Sequence, residues 1–215
     1  MPIALPQLSD NPASVPDLRR LILRDETISG VSAQEADVTG VQAKGLSAND
    51  SRFDRISMAQ SRLEKSHFTD VELLGCDLTA AAMPEASWRR VLVQASRGSG
   101  LQLQTSQLKD ITFVGCKIDI ANFRFSKLIN VCFTDCVLNE ADFYGAALTD
   151  VQFQNCSLVQ TVFSGSKLQR VDLRSSTISS ILGIDSLAGA IIDSAQLVAI
   201  APLLASAFKI TVKDD

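Results

Sequence analysis

The chain has 215 residues, 46% of them hydrophobic and 20% charged, with a formal net charge of −4. That composition excludes a disordered polymer and leaves ample side chains for a core. The net negative charge argues against broad nucleic-acid binding. No apolar run reaches the roughly 18 residues of a membrane span. The N-terminal stretch lacks the basic-then-apolar order of a secretion signal. A cytoplasmic protein without membrane contact is therefore expected.

In chain order, residues 1–17 carry Pro2, Pro6, Pro12 and Pro16 and read as an irregular arm. Leu18 to Leu23 is expected to cover the first coil of a repeating body that begins at Ile28, so 1–27 is taken as an N-terminal arm and cap. Ile28, Val31, Val38, Val41 and Leu46 start the pattern, but Ala33, Ala43 and Ala48 are small and predict narrower or less regular coils.

From Phe53 the pattern is strict. Of the 26 positions reached by steps of five from Phe53 to Ile178, 25 are large and apolar, and Gly98 is the gap. An α-helix with about 3.6 residues per turn would carry such positions around its axis. A flat strand alternates faces at every odd step. The chain must therefore turn once per five residues. A second register lies two residues earlier and holds small side chains, among them Cys76, Cys116, Cys136 and Cys156. Residues two apart in extended chain share a face, so each pentapeptide points one small and one large side chain inward.

The small register also repeats every 20 residues: Val71, Val91, Ile111, Val131, Val151 and Val171 form one column. Four pentapeptides thus close one coil, roughly eight coils stack over residues 28–185, and the core is a pile of ladders. Phe113, Phe133 and Phe153 stack on one side, with Phe123, Phe143 and Phe163 opposite. Trp88 fills a core position. Gly98, within Arg97-Gly98-Ser99-Gly100, predicts a local kink with a small void.

Near Asp185 the phase slips by one, and Leu187, Ile192 and Leu197 carry the step of five. Residues 186–215 are taken as a C-terminal cap. Asp193-Ser194 offers a helix N-cap before Ala195 to Phe208. Pro202 predicts a kink or a second short helix. Ile210-Thr211-Val212 is expected to add a final strand. The apolar residues Leu197, Val198, Ile200, Leu203, Leu204 and Phe208 exceed what one buried helix face needs, so a partner chain is expected there.

The triplets Ala121-Asn122-Phe123, Ala141-Asp142-Phe143 and Ala36-Asp37-Val38 carry a resemblance to the pentapeptide-repeat proteins, with the in-phase pattern covering roughly residues 28 to 183. The resemblance implies an all-β fold, a right-handed quadrilateral β-helix. It also implies homodimerisation through a C-terminal helix. Well-understood members of the family mimic DNA and bind DNA gyrase or topoisomerase IV, affecting quinolone sensitivity.

Catalysis is not expected. The small-register cysteines form a straight ladder rather than a tetrahedral zinc site, and they read as buried hydrophobes. Cys132 falls in an outward register and is expected to be exposed. The lone His67 also points outward, beside Ser87, with no carboxylate partner in reach. No cofactor and no metal is expected. What remains is surface. From residue 51 to 183 there are 14 Lys plus Arg and 13 Asp plus Glu, so the coil body is close to neutral. Asp50, Asp70, Asp110 and Asp150 share a column with Asn130, interrupted by Arg90 and Arg170. Phe125 and Tyr144 point outward on adjacent coils, with Gly145 and Gly165 leaving room for the Phe125 ring to lie flat. Asp70, Asp110, Asp150, Phe125 and Tyr144 are therefore the candidate interaction surface for a protein partner, either a topoisomerase or an unrelated protein meeting the aromatics.

Overall fold

The computed structural model describes residues 3–10, 12–24 and 27–213, and Pro2 of the arm lies outside them. The strands are β1 (Ala13–Ser14), β2 (Thr27–Ser29), β3 (Val31–Gln34), β4 (Ser47–Asp54), β5 (His67–Leu74), β6 (Ser87–Gln94), β7 (Gln107–Val114), β8 (Lys127–Thr134), β9 (Ala147–Gln154), β10 (Lys167–Gln169), β11 (Val171–Asp172) and β12 (Ala190–Ile191). Two α-helices, α1 (Leu18–Arg24) and α2 (Ser194–Ala207), lie toward the two ends. The pairings through the body are parallel and join residues one coil apart, as in Phe113↔Phe133 and Val131↔Val151. The molecule is a parallel β-solenoid of about nine turns with a short C-terminal helix.

Every fifth residue from Gly30 to Ser175 has a positive φ, between about 49° and 76°. These residues are the corners between the four sides of each coil. A left-handed backbone at one residue turns the chain while its neighbours stay extended. Most corner residues are not glycine, and even the β-branched Ile120 adopts φ 57°, a conformation such side chains disfavour. Pairing on the coils above and below overrides that local preference.

Within the coil the two inward registers divide the work. The large one makes the stacks: Phe113, Phe133 and Phe153 lie with centroids 4.8 and 5.0 Å apart and rings within 8° of parallel. Phe123, Phe143 and Phe163 stack at 4.8 and 5.3 Å, and the two ladders meet edge-to-face across the core. Trp88 is buried and stacks on Phe68 at 5.3 Å. At several positions of the small register a hydroxyl or thiol satisfies a backbone group. Ser96 Oγ accepts the Cys76 N–H at 3.0 Å, and Ser106 Oγ accepts that of Ala86 at 2.9 Å. Cys136 Sγ accepts the Cys116 N–H at 3.4 Å. A hydroxyl or thiol there pairs a donor that burial would otherwise orphan.

Tertiary pairing overrides several local signals in the sequence. The coils between residues 27 and 48 are not irregular: Thr27↔Ser47, Asp37↔Ser57 and Gln42↔Arg62 keep the one-coil register. Backbone pairing holds their shape where side chains shrink to alanine. Gly98 makes no kink, since its N–H reaches Lys117 O at 2.8 Å and its C=O accepts from Leu101 at 3.0 Å. Nor is there a void: a methyl placed on it would sit 3.2 Å from Ile118 and 3.4 Å from Leu78. Cys132 is buried despite its outward register. Its short side chain sits between the ladder neighbours Thr112 and Gln152, with Sγ 3.3 Å from Thr134 Oγ1.

At the ends, α1 buries Leu18 and Ile22 against the first coil. β1, which the proline-rich composition does not announce, pairs with β3 and covers its edge. The phase slip is real: Val171 pairs with Ala190, one residue short of a full coil. α2 begins with a reciprocal capping box between Asp193 and Gln196. It runs through Pro202 without a break. The carbonyl that loses its donor belongs to Val198, which is 74% exposed, so water can satisfy it. Ile210 to Val212 form no strand, because α2 already covers the last coil.

Candidate interaction surface

The acidic corner is the fourth residue of each long strand. Its carboxylates do not stand free. Arg90 donates to both Asp70 oxygens, with Nε to Oδ1 at 2.6 Å. Arg170 grips Asp150 in the same bidentate way, at 2.5 and 2.7 Å. Asn130 donates to Asp110 at 2.6 Å. The two arginines that interrupt the column in sequence therefore compensate it in space. Their guanidinium groups hold Asp70 and Asp150 below the usual carboxylate range. A carboxylate on another side, Asp77, is drawn to about 2, chiefly by Arg97 and then by Thr79.

The N-terminal arm covers the start of the same corner. Ser9 donates its N–H to Asp50 at 2.6 Å, and Gln7 donates its N–H to Asp70 at 3.0 Å. Two arm residues thus span one coil, running across the strands. Nothing in the residue types of the arm signals this contact. The arginine pairing, in contrast, has a sequence signal: opposite charges one coil apart along the chain. The same spacing joins Arg52 to Glu72, Arg55 to Glu35 and Lys65 to Glu85.

The aromatic pair forms one cluster. Phe125 occupies a corner with φ 58° and its ring lies over Gly145, where a methyl would come within 2.7 Å of two ring carbons. Tyr144 meets it edge-on, with centroids 5.5 Å apart and planes at 88°. The Arg124 guanidinium lies 4.6 Å from the Tyr144 ring centre and 5.8 Å from that of Phe125. Asp142 orders both neighbours, accepting from Arg124 Nη1 at 3.1 Å and from the Tyr144 N–H at 2.8 Å. Phe125 remains 53% exposed and Tyr144 40%. Asp70, Asp110 and Asp150 sit on a different corner from this cluster, so the five candidate residues do not form one patch.

The C-terminal candidates also divide. Ile200 is buried and Leu204 packs against the core, so these two serve the cap of their own chain and not an interface. Leu197, Val198 and Phe208 are exposed at 51%, 74% and 70%. Leu203 is half-buried beside Ile181 and Leu182. Beneath Phe208 lies an apolar recess of about 290 Å³ lined by Ile184, Leu187, Ile192, Ile200 and Leu204.

His67 is exposed between Ser47 and Ser87. Burial pushes the Cys76 thiol up to about 11. Among the described residues no three His, Cys, Asp or Glu side chains converge in a way that would hold a metal. Among the same residues, no helix is long and apolar enough to cross a membrane.

Residues 99–163 match the family model for a pentapeptide repeat region. A search of curated proteins finds no match. Among solved structures, QnrB1, a plasmid-mediated fluoroquinolone resistance protein, is 15% identical, with 87% of this chain and 100% of that chain covered and a TM-score of 0.43. HetL, a pentapeptide-repeat protein involved in heterocyst differentiation regulation in the cyanobacterium Nostoc sp. strain PCC 7120, is 15% identical, covering 82% and 95%, with a TM-score of 0.38. Rfr23 from the cyanobacterium Cyanothece 51142 is 12% identical, covering 76% and 88%, with a TM-score of 0.21.

Proposed function

This chain is a pentapeptide-repeat protein, and from that premise we propose that it is a non-catalytic protein-binding module whose contact centres on Phe125 and Tyr144. The observation that supports the reading is the Phe125–Tyr144–Arg124 cluster. It combines two exposed rings with a guanidinium, and each is held in place by a neighbour on the solenoid. Aromatic and arginine side chains dominate binding hot spots, and a pre-ordered cluster loses little entropy on docking. The finer assignment, DNA gyrase or topoisomerase IV, would need Asp70, Asp110 and Asp150 to stand in for phosphates. The compensation of Asp70 by Arg90 and of Asp150 by Arg170, with Asp110 engaged by Asn130, favours a partner that meets the aromatic corner instead. In this reading a second copy of the chain covers Leu197, Val198 and Phe208, giving a homodimer.

The test is quantitative capture of bound protein from the source cell by the wild-type chain and by the Phe125→Ala/Tyr144→Ala double variant. Loss of two hot-spot aromatics at about 2 kcal/mol or more each lowers recovery of a specific partner by at least about tenfold. Equal recovery by both chains would remove this surface from consideration. Both residues are surface residues, so the variant keeps its fold.

A further inference from the structure

One side of the solenoid has a charge character that the acidic composition hides. The first half of each long strand, from β4 to β9, with β10 below it, presents this side. No Asp or Glu occupies its two outward positions in any coil from Ser47 to Gln169. The other three sides all carry outward carboxylates, such as Glu72, Asp77 and Asp142. On the carboxylate-free side stand Arg89, Lys109, Lys127 and Lys167, all exposed. Among the described residues none of the four is held in an ion pair. At their centre is Ile129, which is 42% exposed and the ladder neighbour of Lys109.

We propose that this side is a docking surface for an acidic, extended segment of another protein, with an apolar residue among its carboxylates to meet Ile129. The dimensions agree. Four coils at about 4.8 Å place Arg89 and Lys167 roughly 19 Å apart along the axis, the reach of about six extended residues. The side is about five residues wide, enough for one strand of peptide. A nucleic-acid duplex is the poorer fit. It carries a charge about every 1.7 Å and, overhanging the side, would set phosphates against Asp110, whose Asn130 amide partner carries no charge. Desolvated charges around an apolar centre give specificity that the cations alone lack. The Phe125 corner borders this side, but the lysine variants leave Phe125 and Tyr144 in place, so the two readings fail independently.

The experiment is a fluorescence-anisotropy titration of the full chain into a labelled peptide of six glutamates flanking two central leucines. A labelled DNA duplex and a Lys109→Glu/Lys127→Glu variant are run in parallel. The peptide is expected to bind at about 0.01 M ionic strength and to weaken at about 0.1 M, as the screening length falls from about 30 to about 10 Å. The double variant should bind at least about tenfold more weakly, whereas Lys117→Glu on the opposite side leaves binding unchanged. No binding at low ionic strength would overturn the proposal. So would equal binding by the Lys109→Glu/Lys127→Glu variant, an equal loss in Lys117→Glu, or tighter binding of the duplex than of the peptide. All three lysines are exposed, and circular dichroism confirms that each variant retains its strands.

Discussion

Replacing Phe133 with alanine is expected to cost about 3–5 kcal/mol in urea unfolding, the range for emptying a buried aromatic site. The ring is fully buried, stacks on Phe113 at 4.8 Å and Phe153 at 5.0 Å, and meets the edge of Phe123 at 6.3 Å. No neighbour can collapse into the space, because each ring is fixed by its own coil at the strand spacing. In a solenoid each layer is stabilised mainly through its neighbours, so the lost contacts weaken two interfaces at once. Phe125→Ala, on the exposed corner, should stay within about 0.5 kcal/mol. A cost below about 1 kcal/mol for Phe133→Ala would mean that the ladder does not carry the fold.

Gly189→Ala is expected to destabilise the last coil by more than about 2 kcal/mol. Gly189 sits at φ 93°, and a methyl there would lie 2.1 Å from the Leu168 carbonyl oxygen, a backbone atom. The clash falls where Gly189 O accepts the Val171 N–H and where β12 begins. Relief requires moving β12 away from β11, which loosens the seat of α2. Hydrogen exchange should accordingly speed up in β12 and α2 while β5 to β8 stay protected. Gly115→Ala is the control, because a methyl at Gly115 meets nothing within 4 Å. It carries only the penalty of the left-handed backbone, about 1–2 kcal/mol. Equal effects of the two substitutions would contradict the close approach.

Most of the architecture is readable because its cause is periodic. A single inward register from Phe53 to Ile178 leaves the backbone one way to keep 25 large apolar side chains inside, and the structure stacks them in that order. The shortened final coil is equally visible as a phase slip before Leu187. Local inferences fail where tertiary pairing overrides them. Glycine at 98 suggests a kink, Pro202 a kink or a second short helix, and the Ile210 run a strand, yet Gly98 stays in register, one helix runs from Ser194 to Ala207, and the Ile210 run stays out of the sheet. Ile120 at a left-handed corner shows the same override from the other direction. For the surface, Phe125 over Gly145 follows from column arithmetic. The state of the acidic column does not, because Arg90 and Arg170 look like interruptions along the chain when, one coil on, they are the partners of Asp70 and Asp150. The arm contacts of Gln7 and Ser9 have no periodic signal and so leave no trace in the spacing.

Each four-sided coil advances the chain by one strand spacing. Spin labels at positions 67 and 167, both exposed and in one column, test it by electron–electron distance measurement. Five coils predict a separation of about 24 Å between them. A distribution centred well beyond about 40 Å, where coils at the strand spacing cannot reach, or one without a defined maximum, would contradict the stacked-coil account.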